Sequence, residues 1–91
     1  MKHEPRAPSL HARDRVTAVL YDVLATILPG VPRAEITTDK HLKDLGADSV
    51  DRVEIIMALV DRLGVTEPMS RFSDLPDLRA LVDVLVAAEG R

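Results

Sequence analysis

A serine between two aspartates is the residue of this sequence best placed to do chemistry. Ser49 follows Asp48 and precedes Val50 and Asp51, directly after the tripeptide Leu45-Gly46-Ala47 and before a long stretch with apolar patterning. Serine and aspartate both cap helix N-termini, so this position predicts a glycine-containing loop that becomes a helix. The hydroxyl could therefore cap the helix or serve as a point of covalent attachment.

The string LGADSVDRVEIIMALVDRLG, from Leu45 to Gly64, resembles the signature of acyl carrier proteins. The resemblance extends from about Val16 to Ala88 and implies a four-helix carrier bundle. It also implies that a phosphopantetheinyl transferase moves 4'-phosphopantetheine from coenzyme A onto Ser49, using Mg²⁺, with Asp48 as part of the same site. Acyl groups would then be carried as thioesters on the thiol of this arm, and the protein itself would catalyse nothing.

Residues around the serine are similar to particular branches of that family. Peptidyl carriers usually have a second glycine where this chain has Ala47, so fatty-acid or polyketide service is favoured. Val50 and Arg52 replace a leucine and a threonine common in fatty-acid carriers, and the run from Ser49 to Ile56 resembles the free-standing donor carriers of polyketide β-branching cassettes. The partners implied are an acyltransferase, a ketosynthase or decarboxylase, and a hydroxymethylglutaryl synthase-like enzyme. A fatty-acid carrier is the alternative, and a helical adaptor without an arm is the rival from another class.

The helix after Ser49 is predicted to have two faces. At about 100° per residue, Ile55, Leu59 and Leu63 share one side and form the core. The opposite side, with its neighbours, is the predicted partner-binding surface: Val50, Asp51, Arg52, Glu54, Met57 and Asp61. Val53, Ile56 and Val60 are expected to widen its apolar part. A helix that is buried nearly all round is the competing interpretation.

Acidic side chains surround the serine. Asp48, Asp51 and Glu54 would repel a freely diffusing anion from the helix N-terminus, whereas a covalent phosphodiester avoids that problem. The helix dipole alone would also favour acidic residues there. The same carboxylates would attract basic partner surfaces and still allow weak, reversible complexes.

The remaining patterns predict an all-α fold of three main helices and one short helix. An apolar stripe from Val16 to Ile27 indicates a first helix ended by Pro29-Gly30. A connecting loop follows over 31–47, with one helical turn near His41 to Leu45 and with Ile36, Leu42 and Leu45 as apolar anchors. The second helix should begin at Asp48 or Ser49 and end near Gly64. A short third helix is expected within 66–74 and a last helix from about Pro76 to Glu89, with Leu78, Leu81, Val82 and Leu85 on its inner face.

Length and composition limit the other possibilities. The chain has 91 residues, a net charge of −3 and no cysteine, and this length is that of one domain. Because Pro5 and Pro8 lie among polar residues, we expect a flexible leader over 1–10, followed by one carrier domain over 11–91. The first fifteen residues are basic and the rest is acidic, which argues against nucleic acid as a partner. No stretch is long enough to span a membrane, so a cytoplasmic monomer is expected. The scattered histidines His3, His11 and His41 are expected to be solvent-exposed, without a metal site.

Overall fold

The computed structural model describes residues 8–90, and within that range the chain forms helices and turns but no strand. Helix α1 spans Pro8–Ile27, α2 spans Ser49–Leu63 and α3 spans Leu78–Glu89. Single 3-10 turns at Arg33–Glu35, Leu42–Leu45 and Met69–Phe72 lie in the connections. The predicted all-α bundle is therefore confirmed, and its short third helix is the Met69–Phe72 turn.

Helix α1 is the element that holds the bundle together, since it packs against both α2 and α3. Its inner face is the predicted stripe, in which Val16, Leu20, Val23 and Leu24 are buried. The helix ends before Pro29, as predicted, because proline lacks an N–H and disfavours helical backbone in the residue before it. The predicted leader lies mostly outside the described residues, but α1 already includes Pro8, so it starts well before the apolar stripe.

Helix α2 has the bounds that the sequence predicts. Asp48 caps its N-terminus, and Gly64 ends it in the left-handed conformation at φ 65°, which glycine adopts without a Cβ penalty. Ile55 and Leu59 are fully buried, as expected. Ile56 corrects the prediction: it is 7% exposed and belongs to the core, because the chain around the Met69–Phe72 turn and α3 covers that flank of the helix.

The loop between α1 and α2 supports the start of α3. Its apolar anchors Ile36, Leu42 and Leu45 are all buried, as predicted. The backbone N–H groups of Leu78 and Arg79 donate to the carbonyls of Lys40 and Thr38, at 2.8 and 2.9 Å. These bonds satisfy amides that a helix N-terminus leaves unpaired. The Asp77 carboxylate caps the helix by accepting from the Ala80 N–H at 2.9 Å, so α3 begins at Leu78 rather than at about Pro76 as predicted.

Three ion pairs join the helices at the surface of the bundle. Arg13 pairs with Asp83 and Arg15 with Glu89, which connects α1 to α3, and Arg62 pairs with Asp22, which connects α2 to α1. The Arg13–Asp83 and Arg62–Asp22 pairs are exposed, and such pairs contribute about 0 to 1 kcal/mol each. The Glu89 side chain is only 14% exposed, but the buried apolar residues still dominate stability. None of the helices within residues 8–90 is long and apolar enough to cross a membrane.

Candidate functional site

Ser49 is the first residue of α2, and its side chain is exposed. The capping is done by its neighbours: the Asp48 carboxylate accepts from the Asp51 N–H at 2.8 Å, and the Asp51 carboxylate accepts from the Asp48 N–H at 3.3 Å. This reciprocal capping box occupies the position that Ser49 could have filled. The Ser49 hydroxyl has no hydrogen-bond partner within residues 8–90, so it takes no part in the capping.

The chain just before Ser49 is held in a defined turn. Gly46 has φ 88°, a left-handed conformation that non-glycine residues avoid. Its N–H donates to the Lys43 carbonyl at 3.0 Å, and the Ala47 N–H donates to the Leu42 carbonyl at 3.2 Å. Ala47 itself is 3% exposed. These contacts fix where the backbone emerges, so the serine is presented at a constant position.

An apolar cleft of about 290 Å³ opens beside Ser49, bounded by α2, α3 and the segment around the Met69–Phe72 turn. Its walls are mainly hydrophobic: Leu42, Val53, Ile56, Met69, Phe72, Leu75, Leu78 and Leu81. Its polar lining consists of His41, Ser49, Arg52, Ser73 and Asp77. The site is therefore an exposed serine hydroxyl next to an apolar recess.

Much of this cleft was missed by reasoning from the sequence. The helical period of α2 placed Val53 and Ile56 on one flank, but the opposing wall comes from Phe72, Leu75 and Leu78, far along the chain. Only their apolar character was visible in advance, and that character is equally typical of an ordinary core. The way α1 holds α2 and α3 brings the two walls together.

His41 corrects a prediction, since it is half-buried rather than solvent-exposed. It lines the cleft and caps the Leu42–Leu45 turn. Its ring Nδ1 accepts from the Lys43 backbone N–H at 2.9 Å, and its backbone N–H donates to the Asp44 carboxylate at 3.0 Å. Of the other two histidines, His11 is exposed and His3 lies outside the described residues. Within residues 8–90, no cluster of three or more His, Cys, Asp or Glu could hold a metal ion.

The predicted partner-binding residues divide into two groups. Val50 and Met57 are 66% and 58% exposed, and Glu54 and Asp61 are exposed beside them. This surface lies opposite the buried residues of α2, which rules out a helix buried nearly all round. Asp51 and Arg52 are half-buried at the helix start. Arg52 bends back, so that its Nη1 donates to the Ala47 carbonyl at 2.9 Å, and it lines the cleft with Ser49.

Comparison with known proteins agrees with this geometry. The family model described as "Phosphopantetheine attachment site" matches residues 18–85. An acyl carrier protein of Chloroherpeton thalassium is 32% identical over 74 residues, which cover 80% of this chain and 91% of the relative. A polyketide biosynthesis acyl carrier protein of Bacillus subtilis is 32% identical over 73 residues, covering 80% and 89%. An acyl carrier protein of Campylobacter hominis is 38% identical over 61 residues, covering 67% and 77%. No solved structure matches significantly.

The chain therefore belongs to the acyl carrier protein family, whose members carry covalently attached 4'-phosphopantetheine. This confirms the resemblance seen in the sequence from Leu45 to Gly64. Proteins of this family are non-catalytic carriers that work with modifying transferases and synthases. When bound, the arm supplies a thiol, which this cysteine-free chain lacks.

The residues at the start of α2 fit such an arm. The exposed Ser49 hydroxyl can be esterified without breaking an existing hydrogen bond, and the helix N-terminus behind it favours a negatively charged phosphate. The guanidinium of Arg52 lies on the cleft side of the same helix end. The cleft offers apolar surface beside the attachment point.

Proposed function

We propose that Ser49 is the attachment point of 4'-phosphopantetheine and that the protein tethers acyl intermediates as thioesters on this arm. One observation carries the proposal: Ser49 is an exposed hydroxyl without a partner at the first position of α2, inside the region that matches the family. Asp48 holds the start of the helix by capping it, so the hydroxyl stays in place. We also propose that the protein is cytoplasmic and monomeric, as expected from the sequence.

The test is in vitro modification with coenzyme A, Mg²⁺ and a broad-specificity phosphopantetheinyl transferase, followed by intact-mass measurement. The wild type should gain one arm, and Ser49→Ala should gain none. Ser73→Ala is the matched control, because Ser73 lines the same cleft, and this variant should be modified like the wild type. An unmodified wild type would favour the armless helical adaptor, and a modified Ser49→Ala variant would place the arm elsewhere.

Within the carrier family, we propose a discrete carrier of polyketide biosynthesis that donates an acetyl unit for β-branching. Val50 and Arg52 support this, since both differ from the common fatty-acid pattern, and one relative of matching length is named a polyketide carrier. The exposed face with Val50, Glu54, Met57 and Asp61 would then bind the transferase, an acyltransferase, a ketosynthase or decarboxylase, and a hydroxymethylglutaryl synthase-like enzyme in turn. Arg52 borders that face at the helix start.

A comparison of turnover with two enzyme systems tests this assignment. The protein is loaded with acetyl and offered to a hydroxymethylglutaryl synthase-like enzyme, and in parallel the arm-bearing form is offered to a fatty-acid elongation system. We expect faster turnover in the first reaction. Equal or faster turnover in elongation would instead assign the chain to fatty-acid synthesis, while leaving its function as a carrier intact.

A further inference from the structure

Arg52 is half-buried at the start of α2, and a hydrogen bond fixes the direction of its side chain. Its Nη1 donates to the Ala47 carbonyl at 2.9 Å, so the side chain runs back toward the N-terminus of α2 instead of out into solvent. Ala47 lies two positions before Ser49, and Arg52 and Ser49 line the same cleft. The guanidinium is therefore held beside the hydroxyl that we propose carries the arm.

This guanidinium has spare hydrogen-bonding capacity and an unpaired charge. Within residues 8–90, Arg52 forms no ion pair, whereas Arg13, Arg15 and Arg62 each pair with a carboxylate. The nearby carboxylates of Asp48 and Asp51 are committed to the capping box. A guanidinium has five N–H donors in a rigid fork, so one bond to a carbonyl leaves several available for an anion.

Attachment of the arm creates a charge problem at this place. Asp48, Asp51 and Glu54 already bring three negative charges to the first turns of α2. A phosphodiester on Ser49 would add about one more, and like charges at such short range repel each other. Arg52 supplies the nearby positive charge, as the cleft has no other lysine or arginine among its described lining residues.

We propose that Arg52 is a positioning residue that binds the phosphodiester of the arm on Ser49. Arginine suits this role because its planar fork can donate two parallel hydrogen bonds to phosphate oxygens. With the phosphodiester held on the cleft side of α2, the arm starts toward the cleft instead of away from the protein. The inference rests on the proposed attachment at Ser49 and adds to it a residue that controls the direction of the arm.

The test compares the unmodified and arm-bearing forms of the wild type and of Arg52→Gln at low salt. Glutamine keeps an amide N–H donor but is shorter and carries no charge. For each protein, the melting temperature of the arm-bearing form is compared with that of the unmodified form. We expect this change to be about 4 °C lower in Arg52→Gln than in the wild type, for a domain of this size. The ³¹P resonance of the phosphodiester should also differ between the two proteins.

Arg79→Gln is the matched control, because it removes the same charge from an exposed residue of α3 that lines a different groove. Its response to arm attachment should equal that of the wild type, in both melting temperature and ³¹P shift. If Arg52→Gln does not fold, Arg52→Lys replaces it: lysine keeps the charge but loses the fork, so the ³¹P resonance should still move from its wild-type position.

The two proposals fail in distinguishable ways. If the transferase leaves even the wild type unmodified, intact mass shows it, and both the attachment at Ser49 and the role of Arg52 are overturned. If every variant is fully modified but Arg52→Gln responds like the wild type in melting temperature and ³¹P shift, only the role of Arg52 is overturned.

Discussion

Ser49 and Asp48 could each cap the start of α2, and in the structure Asp48 does so. The sequence predicts that a helix starts at one of them, because both are good caps, but it does not decide which one. In the structure Asp48 has the extended backbone of an N-cap and takes the capping hydrogen bond. Ser49 is thereby left with a hydroxyl that has no structural duty. The choice depends on backbone angles set by the preceding turn, which residue types alone do not reveal.

Gly46 is the residue that sets this turn, and replacing it tests that view. Nothing lies within 4 Å of a Cβ added at Gly46, but its φ of +88° is strained for alanine. Gly46→Ala should therefore lower the free energy of unfolding by about 1 to 2 kcal/mol through backbone strain. Chemical denaturation measures this change. Gly30→Ala is the control, since Gly30 has equal space without a positive φ; equal losses in both variants would contradict the strain argument.

Helix α2 shows how far a periodic pattern can be trusted. The period of the helix correctly separated buried Ile55 and Leu59 from exposed Val50 and Met57. It failed for Ile56, which lies on the flank between the two faces. A residue on such a flank is exposed or buried according to what lies opposite it, and here α3 and the preceding segment enclose that flank across the cleft. Helical periodicity contains no information about that neighbour.

Substitutions on the two faces of α2 should affect stability to very different extents. Leu59 is fully buried, so Leu59→Asp would leave an unpaired charge in the core and should unfold a domain with only about 5 to 15 kcal/mol of stability. Met57 is 58% exposed, so Met57→Ala should change the free energy of unfolding by less than about 0.5 kcal/mol. Circular dichroism melts measure both effects.

Met57→Ala should differ from the wild type more in partner binding than in stability. If Met57 contacts the partner enzymes, its loss should raise the KM for the arm-bearing protein several-fold while the melting temperature stays nearly constant. A large drop in melting temperature would mean that this face of α2 is structural and that the proposed docking surface is wrong.

The bundle as a whole produces the cleft, and the sequence could not predict that feature. Its walls come from residues as distant as His41 and Leu81, so the cleft exists only when α1 positions α2 and α3. The individual helices were predictable because their signals are local: an apolar period, a cap and a terminating glycine or proline. The backbone hydrogen bonds from the start of α3 to Thr38 and Lys40 join distant parts of the chain, so no local sequence pattern predicts them.

The distribution of charge over the molecule predicts that its association with partner enzymes depends on salt. The net charge is −3, and carboxylates are concentrated on the exposed face of α2. We expect the kcat/KM of the transferase for this protein to fall by about tenfold between 50 mM and 500 mM salt, because added salt screens attraction to a basic partner.

A double variant locates the charges responsible for that salt dependence. Glu54→Gln combined with Asp61→Asn removes two exposed carboxylates from α2 without touching the capping box, and it should flatten the dependence of kcat/KM on salt. A slope that is unchanged in this variant would show that the encounter depends on charges elsewhere on the molecule.

Attachment of the arm to Ser49 is best tested by tryptic peptide mapping of the modified protein. Cleavage after Lys43 and Arg52 releases a peptide spanning 44–52 in which Ser49 is the sole hydroxyl-bearing residue, and cleavage after Arg71 and Arg79 releases one spanning 72–79 that contains Ser73. We predict that the mass of one phosphopantetheinyl group appears on the 44–52 peptide alone. An arm on the 72–79 peptide, or a 44–52 peptide that stays unmodified after exhaustive reaction, would contradict the account.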